Sequence, residues 1–561
     1  MSSSKPRSTF LIAALLWGIF SGGPKLTVAS PEDTYQRTEG RVIVTFQDPK
    51  AASTRTLTAL ELKKNHLSHR APKDLYSVEP LSQAGQVRHF LVKSPYLTQR
   101  QLMVDLSTEP GVLFVEPDQI VRICPHSIVG SRVLRQSGTA WYSDTEDFQI
   151  LGGPNLQALY AEHPVTGAPV VIFNIDSGSD LTDPNTQGHV SPILGAGENW
   201  TGDSSVPDGD IQDPGIVYGN NNGVPIFLSH GHTVEAQEQK CSDNDPNISI
   251  YAERVLLPTP GQAAVFTGQL SWILRALESV KTKIAANPGI RAVVNLSLVL
   301  SPSPTLRDLI AEIPAPIFVA AGNGVNDLGN GVDLFQNPDA NALGAYAAQL
   351  PNATPVGALT FTADAIASFS EFGVIVRLFA PGIVETLAIG GAQLITAGGT
   401  SFSTPTCSAI AAELLARGGE TDAHATIERM IAATPVTNLS AQGQPQAVQA
   451  IRLDTPLQSD PVLPPLDSLQ ILGKVKYRTL SRKLTFQVNL VLGGAVTGHD
   501  FLLVPGFDAT GPGTWLGAFD LGTGGTFSYS VKGDDPGFHP VFTTKGGGIA
   551  SPSPKVKHPP T

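Results

Sequence analysis

Near-continuous apolar runs alternate with helix-compatible stretches through the middle of this chain. Residues 169–175, 292–298 and 315–320 are hydrophobic at almost every position. A strand covered by helices on both faces has that pattern, because it has no solvent side. Residues 270–285 and 403–417 carry the longer spacing of helices. The stretch 139–455 is therefore expected to be an α/β layered domain with a mostly parallel sheet. Before it, residues 41–46, 87–92 and 112–121 read as strands, and 57–67 and 98–106 as helices. That order predicts a small ferredoxin-like α/β unit over 38–123, followed by an extended stretch at 122–129. After it, a proline-rich joint at 461–465 leads to short β-patterned runs at 476–477, 484–490 and 527–531 between glycine-rich turns. These predict a small β-sandwich over 466–540. The Gly, Pro, Ser and Lys of 541–561 predict a disordered tail.

Composition narrows the field. With 561 residues, 41% hydrophobic and 15% charged, the chain has ample core for several folding units. A formal net charge of −12 disfavours nucleic acid as a partner. Three cysteines, Cys124, Cys241 and Cys407, supply neither a disulfide framework nor a zinc motif. At the N-terminus, Lys5 and Arg7 precede an apolar run from Phe10 to Phe20, with small residues around Ala29. Residues 1–29 thus read as a secretory signal peptide. The run is far shorter than the ~20 residues of a membrane span, so no membrane anchor is expected after its removal and a secreted, extracellular protein is.

Four short motifs carry chemistry. The apolar strand ending at Ile175 is followed by Asp176-Ser-Gly178, and a carboxylate at the carboxyl end of a strand lies where α/β sheets place their sites. His230-Gly-His232-Thr-Val234 opens a helix. Ala321-Gly-Asn323 ends another apolar strand, and Gly399-Thr-Ser401-Phe-Ser-Thr-Pro405 turns into a helix. A serine among small residues at a helix start has backbone N–H groups beside it that favour an anion. Taken singly, each of these also reads as an ordinary cap or turn.

In this order the four motifs resemble the subtilase family of serine peptidases. Ile250–Leu256, Asn295-Leu-Ser-Leu298, Ala367-Ser-Phe-Ser370 and Phe379-Ala-Pro-Gly382 resemble further family segments in the same sequence order. The likeness spans about residues 140–455, and residues 38–123 look like the family's inhibitory propeptide. The resemblance implies a subtilisin-like fold and an endopeptidase working through an acyl-enzyme. Ser401 would be the nucleophile, His230 the base, Asp176 its orienter and Asn323 an oxyanion donor. Ser297, Leu298, Val299, Ala321 and Gly322 would line the peptide groove. Polypeptides would be the substrates and the propeptide an intramolecular inhibitor removed by cleavage between about 120 and 142. No cofactor is implied for the chemistry; loops in the family often bind structural calcium and Asp208, Asp210 and Asp213 could do so here, but solvated turn acids are the preferred reading of these three.

Two departures bear on this reading. The family writes His-Gly-Thr-His-Val, whereas here threonine and histidine are exchanged. Keeping Val234 in register makes His230 the base, with His232 its competitor. The family also follows Ser-Leu with glycine on the strand that pairs with substrate, and here Val299 stands there with a Cβ that would crowd the groove. A catalytically impaired relative that binds peptides, or attaches to a surface, is the alternative these departures permit. Asn199, Asn247, Asn352 and Asn438 each open a glycosylation pattern.

Overall fold

The computed structural model describes residues 40–47, 77–133 and 141–454, each with short interruptions, and the backbone of strands between 468 and 544. Its centre is β7 (Val170–Asp176), buried at all seven positions. Val171, Phe173 and Ile175 enter one core, and Val170 and Ile172 the other. That alternation is the pleat of a strand, and it makes the domain three layers deep. One outer layer holds α3 (Leu270–Ala286) and α4 (Pro304–Ala311). The other holds α2 (His230–Cys241) and α5 (Thr400–Arg417).

Around β7 the strands are β8 (Gly197–Asn199), β11 (Ile248–Arg254), β14 (Arg291–Leu296), β15 (Ile317–Ala320), β16 (Ala353–Leu359), β17 (Leu378–Pro381), β20 (Val436–Ala441) and β21 (Gln444–Ala450). They form one nine-stranded sheet in the order β20-β21-β17-β16-β15-β14-β7-β11-β8. All neighbours are parallel except β20 and β21, which form an antiparallel edge. This is a subtilisin-like α/β fold. The parallel strands deliver the carboxyl ends of β7, β14 and β15 to one rim, where the site lies.

The N-terminal unit comprises β1 (Arg41–Gln47), β2 (Ser77–Ala84), β3 (Val87–Lys93), α1 (Gln99–Ser107) and β4 (Val112–Pro117). Its sheet runs β2-β3-β1-β4, antiparallel throughout. Val42, Val44, Phe90 and Val92 face Leu102 and Leu106 of α1, while Ile43, Leu81 and Leu91 join the core around α3 and α4. Thr98 and Gln101 start α1 with a reciprocal capping box.

Two expectations for this unit are corrected. β2 is an extra strand that its sequence, polar and interrupted by Pro80, does not announce; it lies at the sheet edge with a bulge between Pro80 and Ser82, where proline is tolerated. The single strand expected over 112–121 is two, β4 and β5 (Ile120–Arg122). The break falls at Asp118, whose buried carboxylate accepts from Arg41 at 2.7 Å and from the Ser271 backbone N–H at 2.8 Å. Asp118 thereby serves the start of α3, whose own N-cap Gln269 gives no side-chain bond. Glu116 similarly accepts from Thr305 N at 3.3 Å, at the start of α4. The helix expected over 57–67 lies outside the described residues.

Among the described residues beyond 467 there are two three-stranded antiparallel sheets. Ser468–Arg478, Lys483–Val491 and Gly525–Ser530 form one and contain the three anticipated runs but for Val531. Asp500–Gly506, Gly517–Asp520 and His539–Thr544 form the other, which the sequence pattern did not indicate.

Candidate active site

β7 ends at Asp176, and α2 begins at His230. Both side chains are fully buried, and His230 Nδ1 lies 2.9 Å from each carboxylate oxygen of Asp176. Ser177 N donates to Asp176 Oδ1 at 2.7 Å, so the carboxylate is aimed from its own backbone. Contact between the two elements is unusually close. A Cβ on Gly231 would stand 2.2 Å from the Gly178 carbonyl oxygen, which explains why glycine must follow His230. Gly231 N donates to Ser177 Oγ at 2.9 Å. Ser229 caps α2 by accepting from His232 N and donates to Asp213 Oδ2 at 2.8 Å. Asp213 Oδ1 accepts from Gly215 N at 2.8 Å. Asp213, offered by the sequence as a cation ligand, has both oxygens committed to holding the entry to α2; Asp208 lies outside the described residues.

Ser401 sits in the first turn of α5 and is 3% exposed. Its Oγ donates to the Ser297 carbonyl at 3.4 Å, and Ser297 Oγ donates to the Ser401 carbonyl at 2.9 Å. A buried amide network lies beneath. Asn295 Nδ2 donates to Ser297 Oγ and Asn174 Oδ1, Ser408 Oγ donates to Asn295 Oδ1, and Asn174 Nδ2 donates to the Gly231 carbonyl. Polar groups on β7 and β14 thus tie the serine helix to the histidine helix. Each deletion would leave a buried partner unmatched.

Asn323 lies just past β15. Its Oδ1 accepts from Thr400 N at 2.7 Å and Thr400 Oγ1 at 2.9 Å. With the carbonyl end occupied by two donors, the Nδ2 end is the one left to donate elsewhere. Thr400 Oγ1 also accepts from Gly322 N at 3.1 Å. In the sequence, only the place of Thr400 between Gly399 and Ser401 signals this role. Leu298 and Ala321 are fully buried, so only their backbone is available to a groove.

His232 has its own acid. Its Nε2 lies 3.1 Å from Asp183 Oδ2 with both side chains buried. Burial opposes charge on this imidazole, yet the hydrogen bond and charge of Asp183, helped by Glu235 and Asp180, raise its pKa. Among the described residues, Asp180, Asp183 and His232 are the one group whose ligand atoms, all within 4.8 Å of one another, match a metal site. They do not suit calcium. One donor is nitrogen, Asp180 already accepts from Thr182, Gln212 and Gly390, and Asp183 Oδ1 accepts twice from Asn185. Of the glycosylation patterns, Asn352 is buried with its amide donating to the Ile310 and Ile313 carbonyls at 2.8 Å, so that site is closed.

The chain's own strands pair on either side of Ser401. β13 (Phe266–Gln269) pairs antiparallel with β5 through Thr267↔Arg122, Gly268↔Val121 and Gln269↔Ile120. On its other side Arg122 forms an antiparallel bridge with Val299. Ile123 N donates to the Phe266 carbonyl and Leu270 N to the Gln119 carbonyl. Val299, expected to crowd this edge, therefore still pairs with a strand. Val121 and Ile123 are buried among Leu256, Phe266, Leu298 and Leu300. Past the serine, β6 (Ser127–Val133) adds antiparallel to β19 (Gln393–Gly398), and β18 (Ile383–Leu387) takes the other edge of β19.

Every residue of α2 is buried, including Glu235, Glu238 and Lys240. Lys240 pairs with buried Asp147 and donates to the Glu385 carbonyl at 2.6 Å. Burial pushes Glu235 up to about 8, and raises Glu238, whose carboxyl has no hydrogen-bond partner among the described residues, well above the carboxylate range. Burial likewise takes Glu253 and Glu413 to about 8. Such acids hold protons in the folded chain that the unfolded chain releases near pH 4.5. Stability therefore falls as pH rises through that window, by about 1.4 kcal/mol per pH unit for each group. Between pH 6.5 and 8 the raised pKa of His232 acts in the same direction. Thermal unfolding of a Ser401→Ala chain, chosen to prevent autolysis, is expected to show a lower Tm at pH 8 than at pH 6.5. Glu238→Gln should raise the Tm at pH 8 and flatten that slope.

A three-layer α/β domain with an aspartate–histidine pair and a helix-start serine at one rim of a parallel sheet defines a hydrolase-like class. The sequence profile of the subtilase family matches residues 215–450. A subtilisin-like serine protease of Penicillium rubens, Pen ch 13, is 26% identical over 321 residues, which are 56% of this chain and 67% of that protein. The subtilase-type proteinase psp3 of Schizosaccharomyces pombe is 25% identical over 319 residues, 55% of this chain and 59% of the relative. Fervidolysin of Fervidobacterium pennivorans, a keratinolytic enzyme related to subtilisin, superimposes with a TM-score of 0.55 at 15% identity, covering 92% of this chain and 77% of that one, a likeness of fold. The stretch 215–450 thus carries the sequence profile of the subtilase family.

Proposed function

We propose that this protein is a secreted serine endopeptidase made as a self-inhibited precursor. The carrying observation is the buried Asp176–His230 pair at the same rim as Ser401, with the chain's own strands bracketing that serine. In this reading Ser401 Oγ attacks the scissile carbonyl carbon while His230 accepts the hydroxyl proton. Asp176, held by Ser177 N, fixes the imidazole tautomer. The tetrahedral oxyanion is received by the Asn323 Nδ2 donor and the Ser401 backbone N–H. His230 then gives its proton to the leaving amine, and water, deprotonated by the same imidazole, releases the acyl group. Thr400 is a positioning residue that turns the Asn323 amide. Asn323→Ala is expected to lower kcat by about 10²–10³-fold with KM little changed.

The N-terminal unit is read as the inhibitor. Asp118 and Glu116 complete the starts of α3 and α4, and β5 lies between β13 and Val299 as an extended peptide would. Residues 1–29 support export, and the described residues contain no helix long and apolar enough to cross a membrane. Secreted expression with a fluorophosphonate probe tests the whole reading. Labelling at Ser401 and casein hydrolysis are expected after loss of residues up to the 120–142 stretch, and Ser401→Ala should keep the N-terminal unit. A secreted, folded chain that neither labels nor cleaves casein would instead make this a peptide-binding relative.

A further inference from the structure

Ser401 lies between two self-strands that belong to one continuous stretch of chain. On one side Arg122 bridges Val299, two residues from Ser297, whose hydroxyl donates to the Ser401 carbonyl. On the other, Ser127 pairs with Gly398, three residues before Ser401. The pairing then continues through Ile128↔Ala397, Gly130↔Thr396, Ser131↔Ile395, Arg132↔Leu394 and Val133↔Gln393, with one irregularity at Thr396/Ala397. A peptide lying across the site would thus have β5 before the cut and β6 after it.

We infer that the free edge of β19 is a binding strand for the part of a polypeptide substrate beyond the cut, and that β6 occupies it as a second inhibitor that outlasts the first cleavage. This rests on the peptidase reading above. Hydrolysis of one peptide bond between Ile123 and Ser127 consumes one water, leaving a carboxylate on the β5 side and an amine on the β6 side. The new carboxyl end departs with the N-terminal unit. β6 does not, because the chain that follows it is anchored by Trp141 and Tyr142, buried at 1% and 3% exposure. Tethered so closely, β6 stays at a high effective concentration beside β19. A long substrate must displace its whole ladder. A short peptide ending in a chromogenic anilide places no residues there and competes with nothing. Cleavage of proteins therefore awaits release or removal of residues 127–133, whereas cleavage of short anilides does not.

The test compares casein and a tetrapeptide p-nitroanilide on full-length protein allowed to process itself. In the wild type, anilide activity is expected with the first cut, and casein activity later, with the appearance of an N-terminus beyond residue 133. Full casein activity from a form that still begins at 124–127 would overturn the inference. The paired change Ser131→Pro with Arg132→Pro removes two consecutive N–H groups, one of which faces β19 because they alternate in direction. The casein-to-anilide ratio at the first cut is expected to rise by on the order of tenfold or more, and an unchanged ratio would count against β6 as an inhibitor. Should that variant fail to be secreted, the wild-type time course decides alone. A protein inactive on both substrates would refute the peptidase reading instead.

Discussion

Ser401→Ala should abolish hydrolysis of both casein and short anilides, with kcat falling by about 10⁴–10⁶-fold while the folded chain keeps its Tm. The side chain is small and its only described donor bond, to the Ser297 carbonyl, is a long 3.4 Å, so its loss costs the fold little. Its chemical role has no ready substitute, because the neighbouring Thr400 hydroxyl is already committed, donating to Asn323 Oδ1 and accepting from Gly322 N. Asp176→Ala added to Ser401→Ala should remove nothing more, since members of such a unit act together and their losses do not sum. Active-site titration with the fluorophosphonate probe alongside kcat for each variant measures this. Turnover surviving in Ser401→Ala would remove the serine from the mechanism.

Exchanging the two histidines one at a time is expected to separate chemistry from stability. His230→Ala should lose activity to nearly the extent of Ser401→Ala, because in the proposed mechanism the imidazole paired with Asp176 is the proton acceptor. His232→Ala should leave the kcat of folded enzyme essentially unchanged while costing about 3–5 kcal/mol of stability, the usual penalty for stranding one half of a buried ion pair. Here the stranded group is Asp183, buried and 3.1 Å from His232 Nε2. Changing Asp183→Asn together with His232→Asn should recover much of that loss. Unfolding curves and kcat measured on the same preparations decide. If His232→Ala kills turnover without touching stability, the assignment of the base is reversed.

The two histidines also show how far the sequence reached. Keeping Val234 in register favoured His230, but both imidazoles sit in the first turn of α2 and both have an aspartate. Their partners, Asp176 and Asp183, lie 54 and 49 residues away in sequence. Local pattern cannot rank two such pairs. Position in the fold distinguishes them: Asp176 ends β7, and the Phe402 ring in the first turn of α5 lies 5.8 Å from that of His230. Likewise Val299 looked obstructive as a side chain, yet pairing at the groove edge uses its backbone, which sequence does not display.

What the sequence determined by itself is whatever rests on short-range chemistry. Unbroken apolar runs required strands covered on both faces, the helical spacing of 270–285 required a buried helix face, and Asp176, Asn323 and Ser401 were marked by glycine-rich motifs at element ends. Tertiary structure decided the rest. α2 is buried at every position despite its polar Glu-Ala-Gln-Glu-Gln-Lys stretch, because α5 and the β18 region close over it and Asp147 neutralises Lys240. Thr400, Ser297 and the Asn174–Asn295 bridge gained their roles only when strands far apart in the chain were brought side by side. The same holds for β5 and β6: an extended stretch is legible in sequence, but the two edges that receive it, β13 with Val299 and β19, are 145 to 271 residues distant, and only the fold brings them to either side of one serine.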